Sequence, residues 1–257
     1  MASRRAPALL VVLLGQSLGL VIVMGAALVL GQAVPSLGSL AWAASAGACG
    51  IVGLVAFYRA LSIGRMGIVA PIAGVIGAAI PVVTGAIAQG LPTALQGVGI
   101  AFAVVSVVLV TRPGDEPARP SDRRALALAI FAGVGFGLFT TLLHQAGDAS
   151  IPWLLVATRA TSVSILLPAV LVTRDVVAAK AAWIGPAVLA GSLDVAGNAF
   201  FVASSQTGRL DIAAVTSSLY PITTVILARL LLGERFAHVH VAGVVVAGVA
   251  IACISAG

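Results

Sequence analysis

The chain has 257 residues, 60% of them hydrophobic and only 9% charged, with a formal net charge of +6. Ordinary globular domains are about 45–50% apolar and about 25% charged, so a soluble core cannot hide this much apolar side chain, whereas bilayer hydrocarbon can. The 14 basic residues fall mostly in short connections between apolar runs, not in a stripe with interleaved aromatics. That pattern argues for membrane orientation and against a nucleic-acid partner.

Breaks at proline, glycine and charge clusters predict about nine membrane-spanning helices, an all-α membrane protein. The first, near 6–31, follows "MASRRAP". A basic start before an apolar run is signal-like, but the run exceeds the about 7–15 residues of a cleaved apolar region, so it is expected to stay as a helix. Gln16 is its lone amide, either glue between helices or a cavity group. Spans near 40–61, 67–89 and 94–111 follow, with Arg59 close enough to a span end to snorkel. The stretch "TRPGDEPARPSDRR" (111–124) holds three prolines and seven charges and reads as the solvated linker. Beyond it come spans near 125–146, 152–173, 182–204, 212–233 and 239–256. The expected organisation is a first repeat over 1–111, a linker over 112–124 and a second repeat over 125–257, four helices and then five.

The two halves align without gaps at an offset of 144, which pairs Gly47 with Gly191, Gly53 with Gly197, Phe57 with Phe201 and Gly64-Arg65 with Gly208-Arg209. The same register pairs Ile68 with Ile212, Ala70 with Ala214, Gly99 with Gly243 and Ala103 with Ala247, and helix boundaries coincide. In this register the helix at 125–146 has no mate: either a first helix was lost or the true start lies further upstream, and a five-plus-five ancestor is the simpler expectation. Five is odd, so the repeats would insert with opposite orientations, an arrangement common in secondary transporters with the substrate site at the repeat interface.

The segment "FVASSQTGRLDIAAVTSSLYPITTVILARLLLGERF" (201–236) resembles the drug/metabolite transporter superfamily, specifically its EamA-type ten-helix members. Small residues lead through a turn at Gly208 into a kinked helix with Tyr220-Pro221, closing on Gly233-Glu234. The Gly-rich last helix and Arg159 in "PWLLVATRATS" also fit. The chain departs from the family in the missing first helix and in Gly90, which stands where the first repeat would carry the counterpart of Glu234. The resemblance implies a transporter of small metabolites or drugs in the inner (plasma) membrane; it leaves the substrate and the oligomeric state open.

Asp194 is the strongest candidate for chemistry. An ionised carboxylate at mid-bilayer costs roughly 2.5–3.5 kcal/mol on insertion scales, so such groups face a bundle interior or a water-filled cavity. Gly191 and Asn198 lie one helical turn to either side on the same face. The residues expected to bind substrate are Asp194, Asn198, Tyr220, Thr216, Ser217 and Arg159. Asp194 is also the candidate for proton coupling, because no other acid reads as well buried in the apolar runs. Arg159 has two readings of equal weight, neutralising Asp194 or holding an anionic substrate group. Pro221 frees a backbone carbonyl amid the hydroxyls of 216–224, which suits the wall of an aqueous cavity.

Enzyme signatures such as H-E-x-x-H, G-x-x-x-x-G-K and Cys-x-x-Cys are absent from the sequence, so neither an enzyme nor a cofactor or metal is expected. His144, His238 and His240 read as interfacial, and Cys49 and Cys253 as unpaired thiols within apolar runs. The competing class is a membrane enzyme or accessory subunit acting on lipid-linked substrates. Loops on the amino-terminal side carry ten basic residues against Arg209 alone on the other. That asymmetry puts the amino terminus and the linker in the cytoplasm, although the family resemblance implies the reverse for the carboxyl end.

Overall fold

A computed structural model describes residues 8–64, 66–110, 122–147, 149–173, 184–218 and 238–256. All regular structure among them is helical: α1 (Ala8–Val29), α2 (Leu37–Ile63), α3 (Met66–Gln89), α4 (Ala94–Val110), α5 (Asp122–Gln145), α6 (Ile151–Thr173), α7 (Ile184–Thr207), α8 (Leu210–Ser218) and α9 (His238–Ala256). Within α1, α2, α3, α5 and α6 lie stretches long and apolar enough to cross a membrane, and α4 and α9 hold shorter apolar runs. The chain is an all-α, multi-pass membrane protein. Helix α5 starts earlier than expected and takes Arg123 and Arg124 out of the linker. The span expected over 212–233 begins as α8; Tyr220, Pro221 and the rest of it lie outside the described residues, as do 112–121.

Helix ends follow local chemistry. After α1 the chain turns at Gly31, whose φ of 58° is a left-handed conformation open to glycine. The Gly31 amide donates to the Leu28 carbonyl and the Gln32 amide to that of Ala27, which satisfies two orphan carbonyls. Ser36 caps α2 by accepting the Ser39 amide at 3.2 Å. "TALQ" at 93–96 caps α4 reciprocally: Thr93 Oγ1 accepts the Gln96 amide at 3.2 Å and Gln96 Oε1 accepts the Thr93 amide at 3.0 Å.

The chain forms two compact units, one of residues 1–55 and 138–207, the other of residues 56–137 and 208–257, so α2 and α5 contribute to both. In the first unit α1 packs along α6 and α7. Lipid offers no hydrophobic drive between helices, so close approach relies on small residues. A Cβ on Gly191 would lie 3.0 Å from the Gly15 carbonyl oxygen, and one on Gly47 only 2.5 Å from that of Thr158. Trp153 Nε1 donates to the Gln32 carbonyl at 2.8 Å and ties the start of α6 to the turn after α1.

In the second unit α4 and α9 share the most extensive packing. Ala103, Val107, Val215 and Ala250 are buried together there, and the Ser106 hydroxyl donates to the Gly243 carbonyl at 2.8 Å. Gly133 and Gly137 of α5 sit against Ile76 and Ile80 of α3. The end of α2 meets the start of α5 at a cluster of Ala60, Val69, Ala125 and Ala129. Three of the extensive helix contacts, α1 with α6, α3 with α8 and α4 with α9, join helices that the 144-residue offset places in register.

Candidate functional site

The site is built in the first unit by α1, α6 and α7. Arg159 of α6 is buried, its side chain only 7% exposed, and it reaches both neighbours. Its Nη1 donates to Gln16 Oε1 at 2.6 Å, and its Nη2 lies 2.7 Å from Asp194 Oδ2. The Nη2 contact is an ion pair off the hydrogen-bonding direction, and Nε finds no acceptor among the described residues. A guanidinium carries five N–H groups, so this cation is buried with its donors incompletely used.

Asp194 is held differently: 53% of its side chain remains open. Asn198, one turn on, donates through Nδ2 to the Asp194 carbonyl at 2.9 Å and to Oδ1 at 3.3 Å. Those bonds orient the carboxylate toward α6. Glycines let the three helices close around the cation. A Cβ on Gly19 would stand 3.1 Å from Val195 Cγ2 and 3.6 Å from Arg159 Nε. The backbone beside Arg159 is pinned as well, with Gly47 against Thr158 and the Ser162 hydroxyl donating to the Thr158 carbonyl at 2.9 Å.

The structure thus joins Asp194, Asn198 and Arg159 and adds Gln16, 143 residues from Arg159 in sequence. Thr216 and Ser217 are exposed on α8 of the second unit, and Tyr220 lies outside the described residues. One premise needs correction. Asp194 is not the best-buried acid, because Asp211 is fully buried while Asp194 is half open. Asp211 escaped notice because it precedes the span expected to start at 212, whereas α8 starts at Leu210.

Asp211 is committed to its neighbours. Arg209 donates from Nε to Oδ1 at 3.1 Å and from Nη2 to Oδ2 at 2.9 Å, and the Ile212 amide donates to Oδ1 at 2.9 Å. Its hydrogen bonds to the Asp211 carboxylate hold the Arg209 guanidinium above its ordinary pKa. Arg209 also donates to the Gly90 carbonyl at 2.6 Å, and the Leu210 amide donates to Gln89 Oε1 at 3.0 Å. The group clamps the end of α3 to the start of α8, and Gly85 leaves room for it. Cys49 and Cys253 are free and half-buried. No group of three or more metal-ligating side chains occurs among the described residues.

The described helices form an apolar bundle in which a buried cation meets a half-open carboxylate, within a polytopic membrane protein. Residues 123–256, just over half of the chain, match the model of the EamA-like transporter family, and the chain belongs to that family. One solved structure, described only as "Crystal structure of protein", is similar over 98% of this chain and 86% of its own, with a TM-score of 0.75 and 16% identity. At that identity the likeness concerns the fold. A comparison with curated protein sequences finds no match.

Proposed function

We propose that this chain is a secondary transporter of small metabolites in the inner (plasma) membrane, working by alternating access between two inverted repeats. Family membership supports transport of small molecules across a bilayer. The packing of α1 on α6, α3 on α8 and α4 on α9 supports the repeat, since each pair is related by the internal offset. A matching cross-contact adds to it: Gly47 of α2 packs on α6, and its counterpart Gly191 of α7 packs on α1.

The observation that carries the substrate reading is the half-used guanidinium of Arg159 beside a half-open Asp194. A buried guanidinium stays charged, so it requires an anion throughout the cycle. A substrate carboxylate can occupy the Nε/Nη2 edge with two parallel bonds, where Asp194 now holds one corner. Protonation of Asp194 releases that corner, and its deprotonation after substrate release restores the pair. The cycle moves one proton and one carboxylate together. Gln16 and Asn198 keep the two charged groups aimed during the exchange.

The test is uptake into proteoliposomes of labelled small carboxylates, with amines and neutral analogues alongside, under an imposed pH gradient. Carboxylate uptake driven from the acidic side is expected. Arg159→Gln should abolish it, while Asp194→Asn should keep carboxylate exchange and lose the response to the gradient. Amine transport that survives Arg159→Gln would overturn the proposal.

A further inference from the structure

We infer that the second unit carries a binding site for an anionic phospholipid, placed where the carboxyl end of α2 meets the amino end of α5. A cleft of about 460 Å³ opens there, lined by Arg59 and Ile63 of α2 and by Arg124, Ala127 and Leu128 of α5. That volume lies within the range of roughly 300–1,000 Å³ usual for ligand sites. Both arginines are exposed, and neither has an ion-pair partner among the described residues. Two cations share one cleft, and no described acid pairs with either.

The rest of the lining is apolar. Ile63 and Leu128 pack on the buried cluster of Ala60, Val69, Ala125 and Ala129, so the floor of the cleft belongs to the bundle itself. Gly64 sets the spacing, because any Cβ there would collide with Ala125. From the cleft an uncovered apolar stripe runs along α5 at helical spacing, through exposed Ala127, then Phe131 at 54% and Val134 at 37% exposure. A cationic head pocket continuous with an apolar track matches a phosphate group with acyl chains below it. Free phosphate would use the arginines alone.

The sidedness agrees. This end of α5 follows the central linker, and the charge asymmetry of the loops assigns it to the cytoplasmic leaflet, where anionic lipids reside. Basic clefts between helices on that side are suited to anionic headgroups.

Native mass spectrometry of the full-length, delipidated protein in detergent tests the inference, with phosphatidylglycerol, phosphatidylcholine and inorganic phosphate as probes. Phosphatidylglycerol should be retained in preference to phosphatidylcholine. Arg59→Gln and Arg124→Gln should each weaken it about fivefold, the equivalent of about 1 kcal/mol per basic group near the headgroups. Lysine at either position should restore it, and Arg123→Gln, adjacent in sequence but outside the cleft, should change nothing. Equal retention of both lipids, displacement of phosphatidylglycerol by millimolar phosphate, or an equal loss in Arg123→Gln would each overturn the site. None of these outcomes bears on carboxylate transport at Arg159.

Discussion

Arg159 and Asp194 show how two oppositely charged residues in one bundle divide their roles by environment. Arg159 is buried beside Gln16 and Gly19, whereas Asp194 keeps half its surface open. Removing the carboxylate leaves a buried cation without an anion, and removing both charges leaves a neutral polar cluster. Asp194→Asn and Arg159→Gln should therefore be non-additive, with a coupling of about 2 kcal/mol, within the range for directly contacting residues. Thermal unfolding of the two single variants and the double variant in detergent measures it; simple additivity would mean the pair contributes nothing to the fold. The shared face of Gly191, Asp194 and Asn198 was legible from spacing alone, because positions three and four apart on a helix are neighbours. The Gln16 contact was not legible, since no local pattern joins two residues 143 positions apart.

Among the elements, glycines divide into those that touch a neighbour and those that do not. A methyl on Gly47 would press on the Thr158 backbone, which cannot yield as a flexible side chain would; on Gly25 it would meet nothing within 4 Å. Gly47→Ala should cost about 1–3 kcal/mol by overpacking, and Gly25→Ala should leave the unfolding temperature nearly unchanged. A scan of both variants in detergent decides. The α3–α8 clamp makes a second test. Asp211→Ala should destabilise by about 3 kcal/mol, the low end for breaking a buried pair, since Arg209 is 26% exposed and keeps its bond to Gly90. Helix order and most boundaries were readable from apolar runs and breaks. The early starts of α5 and α8 were not, because charged residues in a first helical turn read as connection when only hydropathy is followed.

For the whole molecule, orientation rests on charge asymmetry, which opposes the family-implied placement of the carboxyl end. Cysteines placed at Ala118 in the linker and at Thr207, the last residue of α7, in a chain with Cys49 and Cys253 replaced by alanine, report the sides directly. An impermeant maleimide on intact cells should label the Thr207→Cys chain and spare the Ala118→Cys chain. The reverse pattern would make the family-implied orientation correct and would move the lipid cleft to the other leaflet.

The amino-acid sequence by itself determined that this is an α-helical membrane protein, the order of its described helices and the shared helix face of Gly191, Asp194 and Asn198. These follow from composition and local spacing, because in hydrocarbon the backbone must satisfy its own hydrogen bonds and a continuous apolar run has one low-energy form, the helix. Only the tertiary structure decided which acid is buried, that Arg159 serves Gln16 and Asp194 at once, and that Arg59 and Arg124 share a cleft. Those outcomes depend on how closely helices approach through their glycines, and a contact between residues distant in sequence leaves no periodic trace in either segment.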